Sequence, residues 1–136
     1  MLIILKLFLS IYLKIILHIV LMKIISIVGT RPRFLKMIPL SIKLEKTNNI
    51  ESIIIHSGQH YDNNMSSDLF NSLDIKMPKY ILKRKGNTAI ENLTNMMLGI
   101  EKIVHNENPN IIIVFGDCDT TTAGALVANK NNIFLI

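Results

Sequence analysis

Lys23-Ile24-Ile25-Ser26-Ile27-Val28-Gly29-Thr30-Arg31-Pro32 is the stretch whose reading decides the fold. Six residues dominated by Ile and Val read as a strand buried on both faces, as in a parallel sheet. Gly29 permits a sharp turn. Pro32 suits the first turn of a helix, where its missing N–H needs no partner. Arg31 therefore stands where a strand ends and a helix begins. In open α/β sheets that edge is where ligands bind. An arginine there, beside free backbone N–H groups, suits an anionic group such as a phosphate.

Outward from this stretch, strands and helices alternate. Pro39 is expected to divide the next helical stretch, giving a short helix near Arg33–Met37 and another near Pro39–Lys46. Glu51–His56 reads as strand two, with Ile53-Ile54-Ile55 as its core. A helix is expected near Asn63–Leu73, where Met65, Leu69 and Leu73 share a face. Tyr80-Ile81-Leu82 is a short third strand, and Lys83-Arg84-Lys85-Gly86-Asn87 a basic loop. Thr88-Ala-Ile-Glu91 is a capping box opening a helix to about His105, with Ile90, Leu93, Met97, Ile100 and Val104 on one face. Ile111–Phe115 is the clearest buried strand. A helix over Thr120–Asn129 and a fifth strand from Ile133 to Ile136 complete the pattern. The alternation predicts a Rossmann-like, doubly wound parallel sheet of order 3-2-1-4-5. Strands one and four are then neighbours, and the turns Gly29-Thr30-Arg31 and Gly116-Asp117-Cys118-Asp119 face one crevice.

Residues 1 to 22 are set apart as an apolar extension and residues 23 to 136 as a partial Rossmann-like domain. In the extension, Lys6, Ser10, Lys14 and His18 recur every fourth residue and would form one polar stripe on a helix. A basic amphipathic helix on a membrane surface and a strand both fit this spacing. The length allows a single membrane span, where two interior lysines are costly, and the segment also reads as an upstream extension without a function. The helix is expected to protrude from the sheet or lie across its surface. The 136 residues carry 15 Lys and Arg against 10 Asp and Glu, a formal charge of +5. That balance suits an anionic ligand and is too weak to argue for nucleic acid. A single cysteine, Cys118, excludes an internal disulfide and fits a reducing cytoplasm.

Asp117 follows Gly116 at the end of the most buried strand. A carboxylate partly desolvated there has its pKa pushed up toward use as an acid or base. The plainer reading is that Asp117 or Asp119 caps the helix that starts near Thr120. Lys36, five residues after Arg31, is placed to clamp a diphosphate with it, or is a solvated surface lysine. Gln59 and His60 follow the Ser57-Gly58 turn at the same edge of the sheet. No Gly-x-Gly-x-x-Gly and no P-loop sequence is present.

Taken in order, these motifs resemble the non-hydrolysing UDP-N-acetylglucosamine 2-epimerases over Met22–Ile136. The resemblance is carried by Ile27-Val28-Gly29-Thr30-Arg31-Pro32, Lys36-Met37-Ile38-Pro39-Leu40, Ser57-Gly58-Gln59-His60-Tyr61-Asp62, Met97–Lys102 and Val114-Phe115-Gly116-Asp117. It implies two domains of the glycosyltransferase-B type with the active site between them. It implies interconversion of UDP-N-acetylglucosamine and UDP-N-acetylmannosamine by proton abstraction at C2 and loss of UDP, through a glycal. No cofactor and no metal is implied as the chemical agent. Arg31 and Lys36 match the positively charged pair expected near the diphosphate, and Asp117 matches an aspartate of proton transfer or positioning. Gln59 and His60 match a loop that helps bind a second, regulatory UDP-sugar, although Asp62 departs from the residue type usual there. Homodimers are implied as well. The next family motif, His-Val-Glu-Ala-Gly, is not in the sequence, so the chain is expected to be an N-terminal fragment that needs a C-terminal domain or partner chain and is inactive alone. Two other readings are a non-catalytic nucleotide-sugar-binding module held at a membrane surface by residues 1 to 22, and a phosphate-binding domain that completes its sheet with a partner.

Overall fold

The computed structural model describes residues 4, 6–12, 21–58 and 76–136. Gln59, His60, Asp62 and the helix expected near Asn63–Leu73 lie outside the described residues, as do residues 13–20. Five strands form one parallel sheet of order β3-β2-β1-β4-β5, as the alternation predicts. They are β1 (Met22–Val28), β2 (Ile50–His56), β3 (Tyr80–Ile81), β4 (Ile111–Val114) and β5 (Phe134–Leu135). The described helices that follow β1 in the chain are α1 (Arg31–Glu45), α2 (Ala89–Glu107) and α3 (Asp119–Lys130).

The two faces of β1 are read by the two-residue period of a strand. Ile25 and Ile27 join Ile53, Ile55 and Ile112 under α2 and α3, in a cluster with Ile100, Val104, Ala123 and Val127. Val28 and Ile54 lie under Phe34 and Met37 of α1, and Ile24 and Ile113 lie under Leu44. Both faces are thus covered, which is why β1, β2 and β4 read as continuous apolar runs. β1 starts at Met22, whose N–H donates to the Asn49 carbonyl at 2.8 Å and which pairs with Ile50. The sheet therefore begins one residue before the expected Lys23. Ahead of it, residues 6–12 are helical, and every described side chain from Ile4 to Tyr12 is exposed. No helix among the described residues is long and apolar enough to cross a membrane.

Pro39 does not divide its helix. α1 runs unbroken from Arg31 to Glu45 with Pro39 inside it. Phe34, Met37, Ser41 and Leu44 form a buried row that crosses the proline, so packing on the sheet holds both halves in line. Pro39 is exposed, and Leu35, whose carbonyl loses its helical donor, is exposed as well, so water can replace the missing N–H. The capping box forms as expected. The Thr88 hydroxyl accepts from the Glu91 N–H at 3.1 Å, and the Glu91 carboxylate accepts from the Thr88 N–H at 3.3 Å. The buried face of α2 is rotated from the expected one: Met96 and Ile103 are buried with Ile100 and Val104, while Ile90 is 71% exposed. Ile90 lies in the first turn of α2.

Glu107, the last residue of α2, ties the lower edge of the sheet together. Its carboxylate accepts from Lys23 Nζ at 2.9 Å, from Lys79 Nζ at 2.6 Å and from the Tyr80 hydroxyl. These donors come from β1, β3 and the residue before β3, so one helix end pins two strands. Hydrogen bonds from Lys79 and Tyr80, then from Lys23, pull the Glu107 carboxyl down to about 2.

Candidate functional site

Three strand ends meet at the upper edge of the sheet. β1 opens into Gly29-Thr30, β2 into Ser57-Gly58, and β4 into Phe115-Gly116-Asp117. The Ser57 and Thr120 hydroxyls hydrogen-bond at 2.7 Å and close over Gly29. A Cβ on Gly29 would lie 2.1 Å from Thr120 Oγ1 and 2.3 Å from Ser57 Oγ. Gly29 is therefore required by close approach, because the two hydroxyls tie the end of β2 to the first turn of α3 across it. Gly29→Ala is expected to force this clasp open and lower the unfolding free energy by about 2 kcal/mol, read from urea denaturation. Unchanged stability would show that the clasp is slack.

Thr30 is the N-cap residue of α1, in extended conformation and 8% exposed. Its hydroxyl accepts from Arg33 Nη1 at 3.0 Å rather than from a helix N–H. Arg33 Nη2 donates to Asp117 Oδ1 at 2.7 Å. The strand order thus brings the turns after β1 and β4 into direct contact, as the expected crevice requires. The contact is made by Arg33, not by the expected Arg31. Arg31 and Lys36 are both exposed on α1, and neither forms an ion pair among the described residues.

Arg33 did leave a signal. It occupies the third helical position after Thr30, where a Glu or Gln would satisfy a free N–H and complement the positive end of the helix. An arginine at that position is electrostatically misplaced unless a carboxylate from elsewhere meets it, and Asp117 does.

Asp117 differs from the sequence expectation in two ways. Its side chain is 94% exposed, not desolvated. The hydrogen bond from Arg33, helped by its own backbone N–H and by the charge of Lys36, holds its carboxyl below the ordinary value, not above it. β4 ends at Val114, and the following turn carries Asp117 clear of the sheet. Neither Asp117 nor Asp119 caps α3. The N-cap residue is Cys118, which makes no side-chain capping bond, and Asp119 is the first helical residue. A carboxylate there still complements the helix dipole.

Beside these turns lies a cavity of about 150 Å³ lined by Ser57, Gly58, Lys83, Arg84, Asn92 and Asp119, among others. Gly58, at φ +75°, lets the turn after β2 sit on the segment after β3, since a Cβ would meet the Leu82 carbonyl oxygen at 2.0 Å. Its N–H donates to Nδ1 of His56 at 3.1 Å. That bond requires an unprotonated Nδ1, and burial lowers the His56 pKa to about 4.

The sequence pattern of the UDP-N-acetylglucosamine 2-epimerase family matches residues 42–136. The chain belongs to the UDP-N-acetylglucosamine 2-epimerase family. A UDP-N-acetylglucosamine 2-epimerase of Methanocaldococcus jannaschii is 44% identical over 112 residues, covering 82% of this chain and 30% of the relative. A UDP-2,3-diacetamido-2,3-dideoxy-D-glucuronate 2-epimerase of Pseudomonas aeruginosa is 38% identical over 112 residues, covering 82% of this chain and 32% of the relative. The crystal structure of the Methanocaldococcus jannaschii enzyme in complex with UDP-GlcNAc and UDP superposes with a TM-score of 0.76 at 43% identity, over 84% of this chain and 31% of that one. This family member thus spans about 30% of the length of the curated relatives it matches.

Proposed function

We propose that this chain is the N-terminal part of a non-hydrolysing UDP-sugar 2-epimerase and supplies one wall of its active site. The observation that carries the reading is the contact of the β1 and β4 turns through Arg33 and Asp117, in a chain of this family. Arg31 and Lys36 are the cations offered to the diphosphate. Asp117 is the carboxylate offered to proton transfer at the sugar C2, or to positioning the groups that perform it. Gln59 and His60 are assigned to binding a UDP-sugar, the second, regulatory one that the family resemblance implies. The substrate is UDP-N-acetylglucosamine, supported by the names of the relatives.

Catalysis of this kind needs acid and base held across a closed crevice from which water is excluded. These residues provide one face of it, so the opposing domain and further carboxylates must come from more chain. The extension ahead of β1, taken as residues 1 to 22 in the sequence but ending before Met22 in the fold, is assigned to contact with a membrane surface, supported by the exposed Leu7, Phe8 and Ile11 beside Lys6. A homodimer is part of the same reading.

The test is proton exchange at C2 of UDP-N-acetylglucosamine in heavy water. A protein carrying this sequence and continued to the length of its relatives is expected to exchange that proton and form UDP-N-acetylmannosamine. The 136 residues alone are expected to do neither. A continued, folded protein that binds UDP and leaves C2 untouched would overturn the assignment.

A further inference from the structure

Arg33 is built into the fold in a way that Arg31 and Lys36 are not. Its side chain is 23% exposed. Nη1 is fixed on the Thr30 hydroxyl. Nε lies against Gly116, where φ is +87° and a Cβ would come within 2.8 Å. That nitrogen is enclosed and has no acceptor among the described residues. A guanidinium held in this way has given up its rotamer freedom before any ligand arrives, which lowers the cost of binding. Nη2 remains aimed at the ligand edge of the sheet. Its acceptor there, Asp117, is 94% exposed and can turn into water at little cost.

We infer that Arg33 is an anion seat for a phosphate group of a nucleoside diphosphate, and that Asp117 occupies this seat only while no ligand is bound. The inference rests on the reading of this edge as a diphosphate site. A phosphate carries more charge than a carboxylate and more acceptor oxygens, so it outcompetes an exposed aspartate for Nη2. Lys36 and Arg31 on α1 add to the pull on an incoming anion, and Asp119 at the start of α3 opposes it. Once displaced, Asp117 loses its strongest partner. Its carboxyl then returns toward the ordinary range, which suits proton transfer better than a carboxylate held below it.

The experiment is a titration of the 136-residue chain with UDP, followed by the amide resonances of Gly29, Thr30 and Gly116, with uridine as the neutral control. Arg33→Gln is expected to weaken UDP binding about tenfold or more. Arg33→Lys, which keeps the charge and loses the planar fork, should fall between. Asp117→Asn keeps an acceptor at the seat but removes its charge, and this weaker competitor is expected to tighten UDP binding about two- to fivefold. Uridine should not distinguish the variants. Equal or weaker UDP binding by Asp117→Asn overturns the inference. So does undiminished binding by Arg33→Gln, or failure of every variant to bind UDP at millimolar concentration. Loss of binding with Arg31→Ala but not with Arg33→Gln removes the seat and leaves the proposed function standing. The expected pattern here, with no C2 exchange in the continued protein, removes the function and leaves the seat.

Discussion

Asp117→Asn, placed in the protein continued to the length of its relatives, is expected to slow proton exchange at C2 by about two to four orders of magnitude. The substitution keeps the size of the side chain and leaves an amide oxygen to accept from Arg33 Nη2. What it removes is the ability to take up or release a proton and the negative charge. The fold does not depend on that charge, because the side chain is 94% exposed and an exposed ion pair contributes little to stability. The thermal midpoint of the variant should therefore stay near that of the unsubstituted protein while activity falls. The pair of measurements separates the roles. A fall in both would make Asp117 a structural group of the β4 turn. Undiminished C2 exchange would remove it from the chemistry altogether.

The sheet was legible in the sequence because its physics is local and repeated. Three Ile- and Val-rich runs, each closed by Gly or Pro, and a capping box with both its partners leave few topologies once right-handed crossovers are required. The order β3-β2-β1-β4-β5 follows from that and from the reversal about β1. Where local rules and packing disagreed, packing won. Pro39 would end an isolated helix, yet the buried row Phe34, Met37, Ser41 and Leu44 carries α1 through it.

The site was legible only to the level of which turns meet. Position along a strand predicts that Asp117 lies at the ligand edge. It does not predict how far the turn lifts the carboxylate into water, nor that Arg33 meets it there, and the Arg33 hydrogen bond sets the direction of its pKa. Arg31 is the sequence candidate because it opens the helix. Arg33, two residues on, makes the contact because the third helical position is directed back toward Thr30 and across Gly116. The Glu107 cluster was invisible for a related reason. Lys23, Lys79, Tyr80 and Glu107 are spread over 85 residues of sequence and meet only when the parallel strands are in register.

Acid should weaken the fold in two separate steps. His56 is buried and neutral, with Nδ1 accepting from Gly58, and its pKa falls from the ordinary 6.5 to about 4. The unfolded chain therefore binds a proton below pH 6.5 that the folded chain refuses until about pH 4. Unfolding gains by that difference, so stability present above pH 6.5 is lost as pH falls toward 4. Glu107 acts lower down. Its pKa falls from the ordinary 4.5 to about 2, so the stability it contributes is full above pH 4.5 and is lost as pH falls toward 2. The His56 step amounts to about 3 kcal/mol at most. The Glu107 step is about 2 kcal/mol, since Lys23 and Lys79 are partly open to water and their attraction is screened. Together they approach the whole stability of a marginal domain. Urea denaturation at pH 7.5, 5.5, 4 and 3 measures both steps. His56→Asn keeps an acceptor for the Gly58 N–H without taking a proton, and should flatten the upper step alone. Glu107→Gln should flatten the lower step and destabilise the chain at neutral pH, where the charge cluster is intact. A drop between pH 6.5 and 4 that persists unchanged in His56→Asn would show that another group carries it, and that the buried imidazole reaches solvent when it titrates.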